Sequence, residues 1–215
     1  MKKINICILL STVLVLAGTK LFSYLFIHSL PREVSWIPTF LAYYFFIVVS
    51  AFIIHFFTKE HIIKLSYFSP VPFPGIKEVV LYAIIPALLP ITMFIGFLDQ
   101  IPVYYFVLIF LFAFFNSFFE EFFWRGLLSL FTFKSFVVWI ISGTLFSFSH
   151  FLFWGYWFRT PMVIIPTLIS TFIMGLLWMK YSYKSKNIFY PIASHFFVDI
   201  FNMSVAIYVG IIPKY

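Results

Sequence analysis

Long apolar runs alternate with short polar joints along this chain. Seven runs stand out, at residues 4–27, 36–57, 79–98, 101–130, 136–154, 161–181 and 188–212. Each is close to the length a helix needs to cross a hydrocarbon core about 30 Å thick, and none shows the strict alternation of a barrel strand. The pattern predicts an all-α, polytopic membrane helix bundle of about seven transmembrane helices, forming a single integral membrane domain. The fourth run is long enough to continue past the membrane core. The longest joint, 58–77, contains Pro70, Pro72, Pro74 and Gly75, which exclude a regular helix there. Its first part, 60–68, is expected to lie on the membrane surface.

Composition agrees. Of 215 residues, 63% are hydrophobic and 10% charged, where a soluble domain has nearly half and a quarter. That excludes a soluble globular domain, a disordered chain and a collagen-like fibre. A lone cysteine, Cys7, excludes an intrachain disulfide and any multi-cysteine metal site. The net charge of +7 sits in short loops, so it reads as a topology signal and not as a nucleic-acid-binding face. Of the 14 cations, ten lie at the N-terminus or in the second, fourth and sixth joints. Arg32, Arg159 and Lys214 lie on the other side, and Lys20 lies within a run. A cytoplasmic N-terminus and an outside C-terminus follow. Lys2, Lys3 and the stretch Val15-Leu16-Ala17 also resemble a cleavable secretory signal, but the apolar run resumes after Lys20, which favours a retained anchor. The compact, lysine-rich chain reads as bacterial and integral to the plasma membrane.

Polar residues inside the runs are costly and mark function by default. Only seven residues are acidic, and Glu120, Glu121 and Asp199 are three of them. Adjacent helical positions point about 100° apart, so Glu120 and Glu121 take different roles. Glu121 and Arg125 are spaced i,i+4 for an ion pair near the helix end. Glu120 is left to project elsewhere, on a face shared with Asn116. His150 lies deep in the fifth run. His195 and Asp199 share a face of the seventh, which Asn202 continues. Pro191, one turn before His195, is expected to kink that helix. His55 reads as packing and His61 as interfacial. At about 1.5 Å per residue from the cytoplasmic ends, Glu120, His195 and Asp199 lie about 10–16 Å deep and His150 about 21 Å. Three helices can therefore bring them to one cavity.

Such a set suits activation of water for amide hydrolysis. Glu120 serves as general base with His150 holding the same water, while His195 and Asp199 stabilise the oxyanion. Alternatively, Glu120, His150 and His195 bind one Zn²⁺ that leaves a position open for water. A serine mechanism is weaker, because Ser149 points away from its neighbour His150. Cys7 has no histidine nearby.

The three motifs Glu120-Glu121-xxx-Arg125, Phe146-xxx-His150 and His195-xxx-Asp199 resemble, in order and separation, those of the CPBP family. That family includes type II CAAX prenyl endopeptidases and bacterial Abi proteins linked to bacteriocin processing and self-immunity. The resemblance covers about 101–204, the motif-bearing protease core; the first 100 residues carry no such motif. Members often have asparagine where this chain has Asp199. The resemblance implies an intramembrane endopeptidase acting on a peptide or membrane-anchored protein. Glu120, His150, His195 and Asp199 would be catalytic, with Glu121 and Arg125 in support. The family is described both as metal-dependent and as using a metal-free glutamate-activated water. Prenylated CaaX processing, peptide maturation and bacteriocin immunity all fit.

Two other readings use the same residues. A proton-coupled transporter would also bury Glu and His, but it usually shows paired repeats with broken helices in matching places. Pro86 and Pro90 have no such counterpart. A non-catalytic immunity protein would keep the fold without the turnover.

Overall fold

The structure, a computed structural model, describes residues 2–59, 75–96, 103–154 and 161–206. The first helices are α1 (Lys3–Ser29) and α2 (Arg32–Thr58). A short α3 (Ile76–Val79) runs through a π turn (Val80–Ile84) into α4 (Ile85–Ile95). Then come α5 (Val103–Glu121), a second π turn (Phe122–Leu127), a 3₁₀ turn (Leu128–Leu130), α6 (Ser135–Trp154), α7 (Pro161–Ser185) and α8 (Phe189–Ala206). No strand occurs among the described residues. Five helical segments there are long and apolar enough to cross a membrane: Lys3–Ser29, Val34–Thr58, Phe106–Leu130, Ser135–Phe153 and Ile164–Ser185. The all-α membrane bundle is as the sequence predicts. The third expected run is helical from 76 to 95, and α8 covers the described part of the seventh. The surface stretch 60–68, the prolines at 70–74, Arg159 and the C-terminus lie outside the described residues.

Local chemistry sets the boundaries. Leu30 is extended (φ −128°, ψ 155°), as a residue before proline prefers, so α1 ends there and Pro31 opens α2. The Asn187 side chain accepts the Phe189 N–H at 2.8 Å and caps α8. Pro191 falls in the first turn of α8, where a helix lacks a partner for its N–H in any case, so the expected kink has no cause there.

α1 packs on α2, α6 on α7, and α8 on both α4 and α5. Small polar residues make these approaches close. α1 turns Ser11, Thr12, Thr19 and Ser23 inward, all buried, and Ser50 of α2 donates to the Ser11 carbonyl at 3.3 Å. Leu10, Val13, Leu41, Phe45, Phe52 and Phe56 are exposed, a surface suited to lipid and not to water. Between α6 and α7, Gly143 and Gly175 meet back to back. A Cβ on Gly175 would lie 2.8 Å from the Gly143 Cα. Gly175→Ala should therefore push two backbones apart, at a cost of about 1–3 kcal/mol. Gly126→Ala should be far milder, because its nearest neighbour would be an ordinary 3.6 Å contact. Thermal melts of both variants in detergent read the difference.

The π turns release carbonyls that then hold other helices. Past Glu121 the ladder shifts to i→i+5, with the Leu128 N–H bonding the Phe123 carbonyl. The Trp124 carbonyl is left to accept Ser142 Oγ of α6 at 2.9 Å. In the other π turn, the regular i+4 donor to Tyr82 would be Pro86, which has no N–H. The Tyr82 carbonyl instead accepts Trp178 Nε1 of α7 and Ser194 Oγ of α8, each at 2.8 Å.

Candidate active site

The last turns of α5 and the middle of α8 face each other. Glu120, Asn116 and Glu121 come from α5, and His195 and Asp199 from α8; all five are buried. The carboxylates flank one imidazole. Glu121 Oε1 lies 2.8 Å from His195 Nδ1, while Glu120 Oε2 lies 3.6 Å from Nε2. Asp199 Oδ1, one turn further along α8, is 3.5 Å from the same Nε2. Asn116 Nδ2 donates to Asp199 Oδ2 at 2.8 Å and its own oxygen accepts Tyr44 Oη at 3.2 Å.

This arrangement departs from the roles the spacing suggested. Adjacent glutamates do point apart, but a ring set between them is held from both edges. Glu121 is therefore not confined to Arg125: its Oε1 contacts both the His195 ring and Arg125 Nη1, the latter at 3.0 Å. Both side chains of that pair are fully buried. The guanidinium makes an ion-pair contact without hydrogen-bond alignment, and none of its nitrogens has a hydrogen-bond partner among the described residues. It lies over Phe146 at 4.1 Å and Trp178 at 5.1 Å, so π faces share its charge. The Trp178 ring also stacks on His195, with centroids 4.9 Å apart. The Tyr82 carbonyl fixes both partners of that stack, one through Trp178 Nε1 and the other through Ser194 next to His195.

Hydrogen-bond logic fixes the rings. Glu121, paired with Arg125, is acceptor only, so His195 Nδ1 carries a hydrogen and Nε2 faces Glu120 and Asp199. His150 Nδ1 lies 2.9 Å from the Phe146 carbonyl of its own helix, so it too carries a hydrogen and Nε2 is the nitrogen turned elsewhere. His150 is half-buried and its ring packs on Phe146, 4.6 Å away, which in turn lies 5.9 Å from His195. Thus Glu120, Glu121, Asn116, His195 and Asp199 come together, and His150 stands beside them across Phe146. Asn202 is exposed. Among the described residues no three His, Cys, Asp or Glu side chains stand in a ligating arrangement. The set Glu120, His150 and His195 expected for Zn²⁺ does not close into one.

Sequence reasoning missed Tyr44, Trp178 and Tyr82. With 13 tyrosines and 34 phenylalanines in the chain, one aromatic gives no contrast against another. A buried carboxylate–imidazole cluster in a membrane helix bundle is an arrangement for proton transfer sheltered from bulk water. Residues 102–201 match the family model described as Type II CAAX prenyl endopeptidase Rce1-like, a protease family. This stretch is thus an Rce1-like domain, in agreement with the CPBP resemblance, and it contains every site residue named above except Tyr44, Tyr82 and Asn202. No curated protein and no solved structure matches the chain.

Proposed function

We propose that the protein is a CAAX-type intramembrane endopeptidase that hydrolyses a peptide bond of a membrane-associated peptide or protein with a water activated by Glu120. One observation carries the reading: Glu120 Oε2 is buried, has no hydrogen-bond partner among the described residues and lies 3.6 Å from His195 Nε2. Oε2 and Nε2 at that separation, with Asp199 Oδ1 3.5 Å from the same Nε2, suit a water seated across all three. Glu120 takes a proton from that water as its oxygen attacks the scissile carbonyl carbon. His195, protonated and flanked by three carboxylates, donates from Nε2 to the developing oxyanion. The proton on Glu120 then passes to the amide nitrogen as the C–N bond breaks. Asp199 accepts from Asn116, so it acts here as a counter-charge to His195 and not as an oxyanion donor.

The buried Arg125 gives the site a fixed cation whose charge is already matched by Glu121, which suits a stationary catalytic site better than a proton path. Bacteriocin self-immunity is one physiological setting for such cleavage. Zn²⁺ held by Glu120, His150 and His195 is the alternative chemistry, with Nε2 the ligating atom of His150. Elemental analysis and stringent chelation of the purified protein separate the two. The glutamate–water route expects full turnover with no bound metal. About one equivalent of zinc, lost together with activity in Glu120→Ala, would replace it.

A further inference from the structure

α2 lies outside the stretch that matches the protease family, yet one of its side chains begins a polar chain that ends at His195. Tyr44 Oη lies 3.2 Å from Asn116 Oδ1, Asn116 Nδ2 lies 2.8 Å from Asp199 Oδ2, and Asp199 Oδ1 lies 3.5 Å from His195 Nε2. The links come from three helices, α2, α5 and α8. What each group can give sets the direction of the chain. An ionised carboxylate only accepts, so the amide turns its NH₂ towards Asp199. The amide oxygen is then the end that faces α2, and the phenol has one hydrogen to give it. Ring contacts hold the phenol there. Tyr44 stacks on Phe119, with centroids 4.8 Å apart and planes 14° from parallel. One turn earlier on α2, Phe40 meets Phe112 edge-on at 4.8 Å. Phe112, Asn116 and Phe119 share a face of α5, so these rings set the register in which hydroxyl and amide meet.

We infer that Tyr44 is a positioning residue that acts through Asn116: it holds the amide oxygen so that the NH₂ end anchors Asp199 Oδ2 and leaves Oδ1 opposite His195 Nε2. The inference rests on the endopeptidase reading. Asn116 is buried, and its amide is held from both ends only while Tyr44 donates. Without that hydrogen, Oδ1 is left in the bundle with no donor, and the amide is free to turn away from Asp199. The two oxygens of Asp199 thus take unlike duties, one anchored and one facing the imidazole as counter-charge. The first part of the chain gains a role in catalysis beyond packing.

The test uses the full-length protein in detergent with a quenched fluorescent peptide ending in a farnesylated CaaX sequence. Tyr44→Phe keeps the ring on Phe119 and removes the hydroxyl. It should lower kcat per folded molecule about fivefold, the scale of one neutral hydrogen bond, with KM changed less than about twofold. Asn116→Ala should lower kcat more, because Asp199 then loses its donor outright. In that Asn116→Ala background, Tyr44→Phe should change kcat less than about twofold, since its route to Asp199 is already cut. Wild-type kcat in Tyr44→Phe, or strict additivity of the two exchanges in log kcat, overturns the role of Tyr44 while leaving the endopeptidase standing. A rise in KM with kcat unchanged also overturns it. A wild-type protein that cleaves no such peptide, and a Glu120→Gln variant indistinguishable from it, sink the endopeptidase reading itself and this inference with it.

Discussion

Glu120→Gln should abolish turnover and leave the bundle folded. The amide fills the same space but cannot take a proton from water, and general-base catalysis alone is worth about 10²–10⁴-fold. The side chain is buried beside His195, so the exchange swaps one acceptor oxygen for a donor without opening a cavity. Its melting temperature should stay near that of the wild type, or rise, since one of three clustered carboxylates is removed. Cleavage assays and melts on the same preparation check both halves. Wild-type turnover in a folded Glu120→Gln protein would move the base to another carboxylate, with Glu121 the next in line. It would also favour a binding role, such as immunity without catalysis, if no other carboxylate variant lost activity.

The largest stability effect is expected at Arg125. Breaking a buried ion pair strands the remaining charge and costs about 3–5 kcal/mol. Arg125→Gln leaves the buried Glu121 with His195 but without its guanidinium partner. Low yield or a large drop in melting temperature should follow. Glu121→Gln strands Arg125 and should cost a similar amount. The double variant should lose less than the sum, since neither charge is then left alone. The two single variants should differ in catalysis. Glu121 Oε1 also holds His195 Nδ1, so Glu121→Gln should lower turnover per folded molecule. Arg125→Gln keeps that contact and should retain more activity. Equal activity per folded molecule in both would mean that Glu121 acts only as the partner of Arg125.

The bundle was legible in the sequence because crossing a membrane imposes length and apolarity on each helix, and those are one-dimensional properties. The polar members of the site were legible for the same reason: Glu120, His195 and Asp199 stand out against phenylalanine and isoleucine. The way they combine was not. Helical spacing paired Glu121 with Arg125 correctly, but it could not show that a ring from α8 enters between Glu120 and Glu121. Nor could it show that Arg125 is sealed under Phe146 and Trp178. Both depend on which helices neighbour each other, and 3.6-residue periodicity does not encode that. The π turn after Glu121 also changes the phase of the face on which Arg125 was placed. Tyr44 and Trp178 were invisible for a different reason: their polar atoms ride on rings that read as apolar filler.

The anchor at Tyr82 separates the residue that makes a contact from the residue that determines it. Trp178 and Ser194 bond to a backbone oxygen, so any side chain at 82 would present the same acceptor. What leaves that oxygen available is the missing N–H four positions later, at Pro86. A substitution at 82 alters side-chain packing such as the ring contact with Tyr181, whereas an ordinary residue at 86 returns a competing donor to the helix. In a survey of variants, the position sensitive for the stack on His195 would thus be a proline that acts through what it cannot donate, and the tyrosine whose oxygen carries the load would look more tolerant.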